Sequence, residues 1–337
     1  MQRRVTLSDV AKEAGVNVST VSRSLNPETS GQVSTGTVKK INNIAKRLGY
    51  TPNTVARGLR TKRSMTIGVI IPDLTNPIFP PIVRGIDSVL SSRGYSAFVV
   101  NTDNNQEYEE KLFNSLVNRQ VDGFIIATGH SEAGRLEKYF SAGIKTVMVN
   151  REATEVATPC VIGDDAAGIH AAVLHLVELG HRRILHLSGP VNFSTSKVRA
   201  KAFVESCKTL KVSGEILKSS AYSVDAGNRV MSKSLDSKNV KFTAVIAAND
   251  LLALGVYHAL REHNLDCPKD ISVIGFNNMP FTADFQPAMT TVASPHYEMG
   301  AEAARLLLDQ VDGRELGAMK ITLPVHLVIR NSTARCL

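Results

Sequence analysis

The first fifty residues place apolar side chains three and four positions apart, which is the spacing of an amphipathic helix. Leu7, Val10, Ala11 and Ala14 follow this spacing, and Thr6 stands directly before them. A threonine hydroxyl at that position accepts a hydrogen bond from the free amides of a first helical turn. The pattern therefore predicts a helix that begins just after Thr6.

Two more helices are predicted behind the first one. Val21 and Leu25 form the apolar side of a segment over residues 18–26, which Asn17 can cap. Residues 34–48 repeat the helical spacing and stop at a glycine. Because helices of this length are marginal by themselves in water, we expect the three to share one small core.

The spacing between the first two helices predicts a DNA-binding motif. Ala11, Gly15 and Val21 stand in the relation A-x3-G-x5-V, which combines a small contact residue, a glycine for the tight turn and an apolar anchor. This is the arrangement of a helix-turn-helix, whose second helix enters the major groove. The side chains on its outer face that can contact bases or phosphates are Val18, Ser19, Ser22 and Arg23.

From Met65 onward short apolar runs alternate with amphipathic segments, which predicts parallel sheets covered by helices. Single cores rarely exceed ~250–300 residues, so a stretch of this length favours two lobes. The predicted strands are 66–71, 97–101, 123–128, 146–150, 184–188, 244–248 and 272–276. Predicted helices include 82–93, 165–180, 197–210 and 251–262. The predicted fold is a helix-turn-helix head plus an α/β core of two parallel-sheet lobes.

Positive charge is concentrated in the helical segment. Up to Arg63 the chain has twelve basic and three acidic residues, a balance of +9, whereas the whole chain carries +8. The remaining residues are therefore close to neutral. A compact basic unit of this kind is favoured by counterion release from a phosphate backbone. The charge distribution supports double-stranded DNA as the partner of the helical head.

Composition excludes several classes of protein. The longest apolar runs are about one strand long, far short of the ~20 residues of a transmembrane helix. No apolar segment follows Met1 as it does in a secretory signal, so we expect a cytoplasmic, nucleoid-associated protein without a membrane partner. The four cysteines lie tens of residues apart, which predicts neither a disulfide framework nor a zinc site.

Histidine and glycine patterns indicate no catalytic or metal chemistry. His170, His175, His181 and His186 have five- and six-residue spacings, which do not place neighbours on one helical face as a metal pair requires. The chain has neither a G-x-S-x-G motif nor a G-x-x-x-x-G-K-[ST] loop. We therefore expect no enzyme activity, no cofactor and no bound metal.

Ligands of parallel sheets bind beyond the carboxyl ends of the strands, which nominates a cleft from the strand positions alone. The residues at those ends are 73–79, Asn101, Thr128, Asn150, 189–195, Asn249, Asp250 and Asn277.

Sequence blocks in consistent order resemble the LacI/GalR family of transcriptional regulators over essentially the full chain. In the head they are TLSDVAKEAGV from Thr6, STVSRSLN from Ser19, LGYTPN from Leu48 and ARGL from Ala56. Further along they are TIGVIIPD from Thr66, NP from Asn76, VDG from Val121, LGHR from Leu179, NDLLALG from Asn249, ISVIGF from Ile271 and MTTV from Met289.

The resemblance implies a domain plan and a function. The plan is a DNA-binding head at 1–50, a hinge helix or linker at 51–64 and a type I periplasmic-binding-protein-like core at 65–337. Within the core, the N-lobe is expected at about 65–163 and 293–324, and the C-lobe at about 164–292 and 325–337. The implied function is a homodimeric repressor that reads a near-palindromic operator. A sugar, sugar acid or sugar phosphate between the lobes sets operator affinity, and the same clamp serves inducers and corepressors.

The resemblance also extends the set of DNA-contacting residues. It adds Thr6, Thr20, Asn26, Tyr50, Asn53, Ala56, Arg57, Leu59 and Arg60. Leu59 matches the hinge leucine that family members insert into the minor groove as a pair, one from each subunit. A short helix interrupted by Gly58 is weak by itself, so we expect it to order on DNA.

An effector site is implied in the same way. Together with Asp73 from the strand ends, the matching positions are Ile78, Phe79, Asn150, Phe193, Thr195, Arg199, Tyr222, Asn249 and Asn277. Arg199 matches the arginine that family members place on effector oxygens. Sugar-binding members often have aspartates where this chain has Asn150 and Asn277. With Lys197 nearby we hypothesise an acidic effector; the alternative is that the amides bind a neutral polyol.

Two other classes of function stay open at the level of sequence. One is an α/β enzyme fused to a DNA-binding head, which turnover of a cleft ligand would reveal. The other is a ligand-independent DNA-binding protein whose core serves only in assembly, for which no metabolite would change thermal stability.

Overall fold

The computed structural model describes residues 5–26, 29–51, 63–129, 143–153, 157–237 and 241–336. The chain divides into two compact units, Met1–Ser64 and Met65–Leu337. In the residues described, no helix is both long and apolar enough to cross a membrane.

The first unit contains the predicted helices: α1 (Leu7–Ala14), α2 (Val18–Ser24) and α3 (Thr35–Leu48), with a 3-10 turn at Ser30–Gln32. Helix α2 is shorter than the predicted 18–26 because the residue after Ser24 already serves as its C-cap.

Local interactions fix the ends of α1. The Thr6 hydroxyl accepts from the Asp9 amide at 3.4 Å, and the Asp9 carboxylate accepts from the Thr6 amide at 2.9 Å, which together form a capping box. Gly15 ends the helix at φ 67°, in the left-handed region that glycine adopts without steric cost. Asn17, by contrast, makes no side-chain capping bond to α2. The turn between α1 and α2 is thus set mainly from the side of α1.

Seven buried apolar side chains from the three helices form the core of this unit. They are Val10, Ala11, Ala14, Val21, Ile41, Ile44 and Ala45. Leu7, Leu25 and Leu48 pack around them as partly buried neighbours. All the basic residues of α3 remain on its exposed side.

The second unit contains two six-stranded sheets. The strands are β1 (Thr66–Ile71), β2 (Ser96–Asn101), β3 (Gly123–Ile126), β4 (Thr146–Val149), β5 (Cys160–Gly163), β6 (Arg183–Ser188), β7 (Ser213–Lys218), β8 (Ala244–Ala247), β9 (Ser272–Asn277), β10 (Thr290–Ala293), β11 (Lys320–Leu323) and β12 (His326–Val328). The helices are α4 (Phe79–Ser92), α5 (Gln106–Asn118), α6 (Asp165–Glu178), α7 (Ser194–Thr209), α8 (Val224–Leu235), α9 (Asp250–Glu262) and α10 (His296–Val311).

Sheet topology defines the two lobes. The N-lobe sheet has the order β11-β5-β4-β3-β1-β2 with all pairs parallel, and the C-lobe sheet has the order β12-β10-β9-β8-β6-β7. The C-lobe pairs are parallel except for β10 with β12. This confirms the predicted fold class of two parallel-sheet lobes behind a helical head.

The chain crosses between the lobes after β5, after β10 and after β11. The second crossing leads into α10, which packs against α4 of the N-lobe at very short range. A Cβ on Gly85 would lie 2.0 Å from the Tyr297 carbonyl oxygen, and one on Gly300 would lie 2.0 Å from the Ile82 carbonyl oxygen. Glycine at both positions therefore lets the two backbones touch and seats α10 in the N-lobe.

Predicted strands agree with the observed ones to within two residues at each end, whereas five strands were not predicted. These are β5, β7, β10, β11 and β12. Three of them carry exposed positions along their length, β7 and β11 at sheet edges and β12 as the antiparallel edge. An edge strand is only partly buried and therefore lacks the continuous apolar run that marks a central parallel strand.

Candidate DNA-binding and effector sites

The outer face of α2 carries the side chains predicted to read DNA. Val18, Ser19 and Arg23 are exposed, and the Val18 side chain is 41% exposed although it is apolar. Ser22 and Thr20 are partly buried at the edges of that face. An exposed valine at the first turn, flanked by a hydroxyl and a guanidinium, offers contacts for a thymine methyl, a base edge and guanine.

Other predicted DNA contacts have local structural roles. The Thr6 hydroxyl donates to Asp9 at 2.8 Å within the capping box, and Tyr50 packs against the core of the head. Asn26 is partly buried at the end of the α2 region. The predicted contacts that lie outside the described residues are Asn53, Ala56, Arg57, Leu59 and Arg60.

A cavity of about 300 Å³ lies between the two lobes of the core. The N-lobe lines it with Pro72, Asp73, Asn76, Phe79, Asn104 and Arg151. The C-lobe lines it with Pro190, Asn192, Phe193, Ser220, Ala221, Tyr222 and Ser223. Its volume is at the lower end of the ~300–1,000 Å³ typical of small-molecule sites, and aromatic rings with scattered polar groups are the usual lining.

Four predicted effector residues line this cavity: Asp73, Phe79, Phe193 and Tyr222. The other six, which are not part of that lining, are Ile78, Asn150, Thr195, Arg199, Asn249 and Asn277. The Thr195 hydroxyl nevertheless contacts the site through the Tyr222 hydroxyl, at 3.2 Å. The effector site stays a prediction.

Arg199 is committed to other groups. Its Nε and Nη2 donate to the two oxygens of Asp165 at 2.9 and 3.0 Å, and Nη1 donates to the Ala248 carbonyl. The guanidinium also lies 3.7 Å from the ring centroid of Phe276. Burial raises the pKa of Asp165, and the charge of Arg199 opposes this. The pair is a buried ion pair that ties α6 to α7, and Lys197 on the same helix is exposed to solvent.

The three asparagines have backbone explanations. Asn150 follows β4 with φ of 65°, and Asn277 is the last residue of β9 with φ of 109°; asparagine adopts positive φ more readily than most residues. Asn249 accepts from the Leu252 amide at 2.8 Å and so caps α9. These roles are compatible with a neutral amide at each position and do not depend on the charge of a ligand.

Asp250 is a buried residue at the start of α9, and among the described residues no lysine or arginine forms an ion pair with it. Its oxygens accept from the Thr291 hydroxyl and from the Met279 amide, the latter at 2.8 Å. Burial raises the pKa of Asp250 to about 7, and these two hydrogen bonds lower it only in part. Burial therefore favours the protonated form of this carboxyl relative to that of an exposed aspartate.

Arg151 is the charged cavity residue that the sequence interpretation missed. It follows Asn150 at the end of β4 and is 5% exposed. Its Nη1 donates to the Thr128 carbonyl, and its guanidinium carbon lies 3.8 Å from the ring centroid of Phe193 on the other lobe. The list of residues at strand ends included Asn150 but not the next residue. Extending that list by one residue would have included Arg151.

Ser220, Ala221 and Ser223, which flank the predicted Tyr222 in the cavity wall, were missed for a different reason. These residues follow β7, an edge strand that was not predicted, so the strand-end rule had no strand to apply to.

No group of three or more His, Cys, Asp or Glu side chains that could hold a metal ion occurs in the parts of the chain that the structure describes.

Comparisons with known proteins place the whole chain in one family. A model of bacterial regulatory proteins of the lacI family matches residues 6–53, and a periplasmic binding protein-like domain matches residues 173–333. Catabolite control protein A of Priestia megaterium is 34% identical over 335 residues, which cover 98% of this chain and 99% of that protein. The chain belongs to the LacI family. This LacI-family member is a transcriptional regulator, and its relatives are regulators rather than enzymes.

Solved structures of LacI-family proteins extend the likeness to three dimensions. The lac repressor dimer bound to operator and the anti-inducer ONPF has a TM-score of 0.88 at 27% identity, covering 98% of this chain and 100% of that one. A regulator from Enterococcus faecium with bound ribose has a TM-score of 0.72 at 32% identity, covering 81% of this chain and 100% of that one. The predicted family, fold and class of function are confirmed.

Proposed function

We propose that this LacI-family regulator represses transcription as a homodimer on near-palindromic operator DNA. The head, residues 1–50, reads the operator, residues 51–64 link it to the core, and a small hydroxylated metabolite binds in the core cavity. A two-fold dimer presents the same reading surface twice, which matches a palindromic site. The similar lac repressor structure is a dimer on operator DNA. Such a protein acts in the cytoplasm at the nucleoid.

The exposed chemistry of α2 and the charge of the head support DNA as the partner. Val18, Ser19 and Arg23 present apolar, hydroxyl and guanidinium groups side by side at the surface. The excess of basic residues up to Arg63 supplies phosphate contacts that do not depend on sequence. Leu59 is proposed as the minor-groove wedge on the strength of the family resemblance alone.

The observation that carries the effector proposal is a cavity lined by both lobes. Its polar residues suit hydroxyl groups, and its aromatic residues suit the apolar face of a sugar ring. The Enterococcus faecium relative holds ribose. Asp73, which lines this cavity, binds the Thr75 amide and hydroxyl through one carboxylate oxygen at 2.8 and 2.6 Å and so has a fixed orientation.

Contacts across the cleft make the cavity sensitive to lobe position. Arg151 of the N-lobe stacks on Phe193 of the C-lobe, and the Glu152 amide donates to the Ser194 hydroxyl at 3.2 Å. A metabolite that binds between these groups favours one lobe arrangement over another. Because coupling between two ligands is reciprocal, operator DNA must change metabolite affinity by the same factor.

The test is fluorescence anisotropy of the full chain on an operator selected from a random duplex library. We expect affinity to fall steeply with salt, and a sugar or sugar derivative to shift operator affinity by about 5- to 150-fold, the usual range for such coupling. Salt-independent binding contradicts the DNA function. Metabolites that bind the core without changing operator affinity contradict the coupling.

A further inference from the structure

Arg151 brings a positive charge to the wall of the effector cavity. It is the one arginine or lysine among the described lining residues, and the rest of that lining is aromatic, aliphatic or neutral polar apart from the single carboxylate of Asp73. The Arg151 side chain is held in place at two points. Its Nη1 donates to the Thr128 carbonyl, and its plane lies over the Phe193 ring.

The Nε edge of this guanidinium has unused hydrogen-bonding capacity. Arg151 Nε is buried and has no hydrogen-bond partner among the residues that the structure describes. A buried N–H without an acceptor loses its hydration and receives nothing in return, so such groups are rare in native proteins. Because Arg151 lines the cavity, a ligand bound beside its guanidinium is a source for the missing acceptor.

Arg199 is a second buried arginine of the core, and its Nε does have an acceptor. Its Nε and Nη2 donate hydrogen bonds to the two carboxylate oxygens of Asp165 at 2.9 and 3.0 Å. Both arginines are buried, both donate Nη1 to a backbone carbonyl and both stack on a phenylalanine ring. They differ in that the described protein provides a carboxylate for the Nε of Arg199 and none for the Nε of Arg151.

The charge of Arg151 persists at neutral pH despite its burial. Burial lowers the pKa of Arg151 to about 10, Tyr222 raises it, Arg199 lowers it and Glu109 raises it. Glu109 is engaged with the Thr128 hydroxyl at 2.6 Å and offsets only part of the cost of burying the cation. An oxyanion in the cavity would compensate the remainder, since charge-assisted hydrogen bonds to arginine are stronger than neutral ones.

We propose that the Nε edge of Arg151 and the face of Phe193 form an anion subsite, and that the effector is a hydroxylated acid, either a sugar acid or a sugar phosphate. The inference rests on the proposed function of the cavity and names the class of its ligand. The anionic group binds at Arg151, and the hydroxyl groups face Asn76, Asn104 and Ser220. Because Phe193 belongs to the opposite lobe, the subsite contains groups from both lobes.

The test is calorimetric titration of the full chain, without DNA, with matched sets of ligands. One set is ribose, ribonate and ribose 5-phosphate, and the other is glucose, glucuronate and glucose 6-phosphate. We expect the acid or phosphate member of one set to bind at least about tenfold more tightly than its neutral parent, because a fork-shaped charged contact is added. The carboxylate and phosphate arms distinguish the two possible sources of the anion.

Variants assign the preference to the residue. In Arg151→Gln the ratio of the affinity for the anionic member to that for its neutral parent should fall to about twofold or less. Lys197→Gln is the matched control, because it removes one positive charge from exposed α7 outside the cavity lining and should keep the full preference. If Arg151→Gln does not fold, Arg151→Lys retains the charge without the planar fork and should show a reduced preference.

Three outcomes overturn the inference. They are tighter binding of the neutral parents, equal loss of all ligands in Arg151→Gln, and equal loss of preference in Lys197→Gln. The first two leave metabolite binding by the cavity intact, so the proposed function survives them. Absence of binding by every member of both sets counts against the proposed function itself.

Discussion

In the head, Arg47 pairs with Glu13 at 2.5 Å with side chains that are 64% and 51% exposed, whereas in the core Arg199 pairs with Asp165 at 2.9 Å with side chains that are 4% and 11% exposed. The head keeps its charges in water, where they are free to meet a polyanion. The core buries this pair, and a buried charge requires a partner at a defined position. The same two chemical groups therefore serve long-range attraction in one region and rigid geometry in the other.

The largest effect is expected from breaking the buried pair. Arg199→Met leaves the Asp165 carboxylate buried without its cation and should lower the free energy of unfolding of the core by about 3–5 kcal/mol. Urea denaturation of the unliganded protein followed by circular dichroism measures this. The double variant Arg199→Met with Asp165→Asn removes both charges and should recover part of the loss. If Arg199→Met were as stable as the parent, the buried pair would contribute no more to stability than the exposed pair of the head, which would contradict this expectation.

A second effect of burial is a pH dependence confined to the core. The pKa of Asp250 is raised to about 7, above its ordinary value of 3.8. Its stabilising contribution is therefore fully present below about pH 4 and is lost as pH rises through 7. Asp250→Asn mimics the protonated form, because its amide can donate to Thr291 and accept from Met279.

We expect this variant to gain stability relative to the parent between pH 4.5 and 7.5, by an amount on the order of a few kcal/mol, since one pKa unit corresponds to ~1.4 kcal/mol. Urea midpoints at four pH values measure the difference. A difference between parent and variant that stays constant with pH would contradict the raised pKa.

In the head, exposed charge should act on DNA rather than on stability. Arg23→Ala should weaken binding to the selected operator by ~1–3 kcal/mol and relax base preference, whereas Lys39→Ala should weaken all duplexes similarly and reduce the salt dependence. Anisotropy on selected and random duplexes separates the two. Equal losses on both duplexes for Arg23→Ala would remove it from base reading.

The smallest effect is expected from the exposed pair. Glu13→Gln should change the free energy of unfolding by less than about 1 kcal/mol, because surface ion pairs are screened by water and salt. Thermal unfolding at low and high salt measures it, with Arg47→Gln as the reciprocal control. A loss as large as that of the buried pair would abolish the distinction between the two regions.

Sequence patterns were sufficient where local physics dominates. The Thr6 cap, the turn at Gly15 and the apolar spacing of α1 and α3 each depend on a few neighbouring residues. Central parallel strands such as β1 and β8 are buried on both faces and therefore appear as continuous apolar runs. Edge strands such as β7 gave no such signal, so Ser220, Ala221 and Ser223 were missed, and the neighbouring Tyr222 was predicted only through the family resemblance.

Partnerships between distant residues required the folded chain. Arg151 and Arg199 are both arginines close to a strand end or helix start, and no local pattern distinguishes a paired guanidinium from an unpaired one. Asp165 lies 34 positions from Arg199, and Phe193 lies on the other lobe from Arg151. The interpretation of Arg199 as an effector contact remains a prediction. Arg199 already donates hydrogen bonds to Asp165 and Ala248, whereas the Nε of Arg151 has no partner among the described residues.

The amino-acid sequence by itself determined the helical head, its positive charge, the two-lobed parallel architecture and the family. The hydrophobic period, the capping residues and the local charge each involve residues that are close together in the sequence, so they can be recognised without the folded structure. The tertiary structure alone decided which buried charges are compensated and which line the cavity. Hydrogen-bond satisfaction depends on atoms brought within about 3 Å of one another from remote parts of the chain.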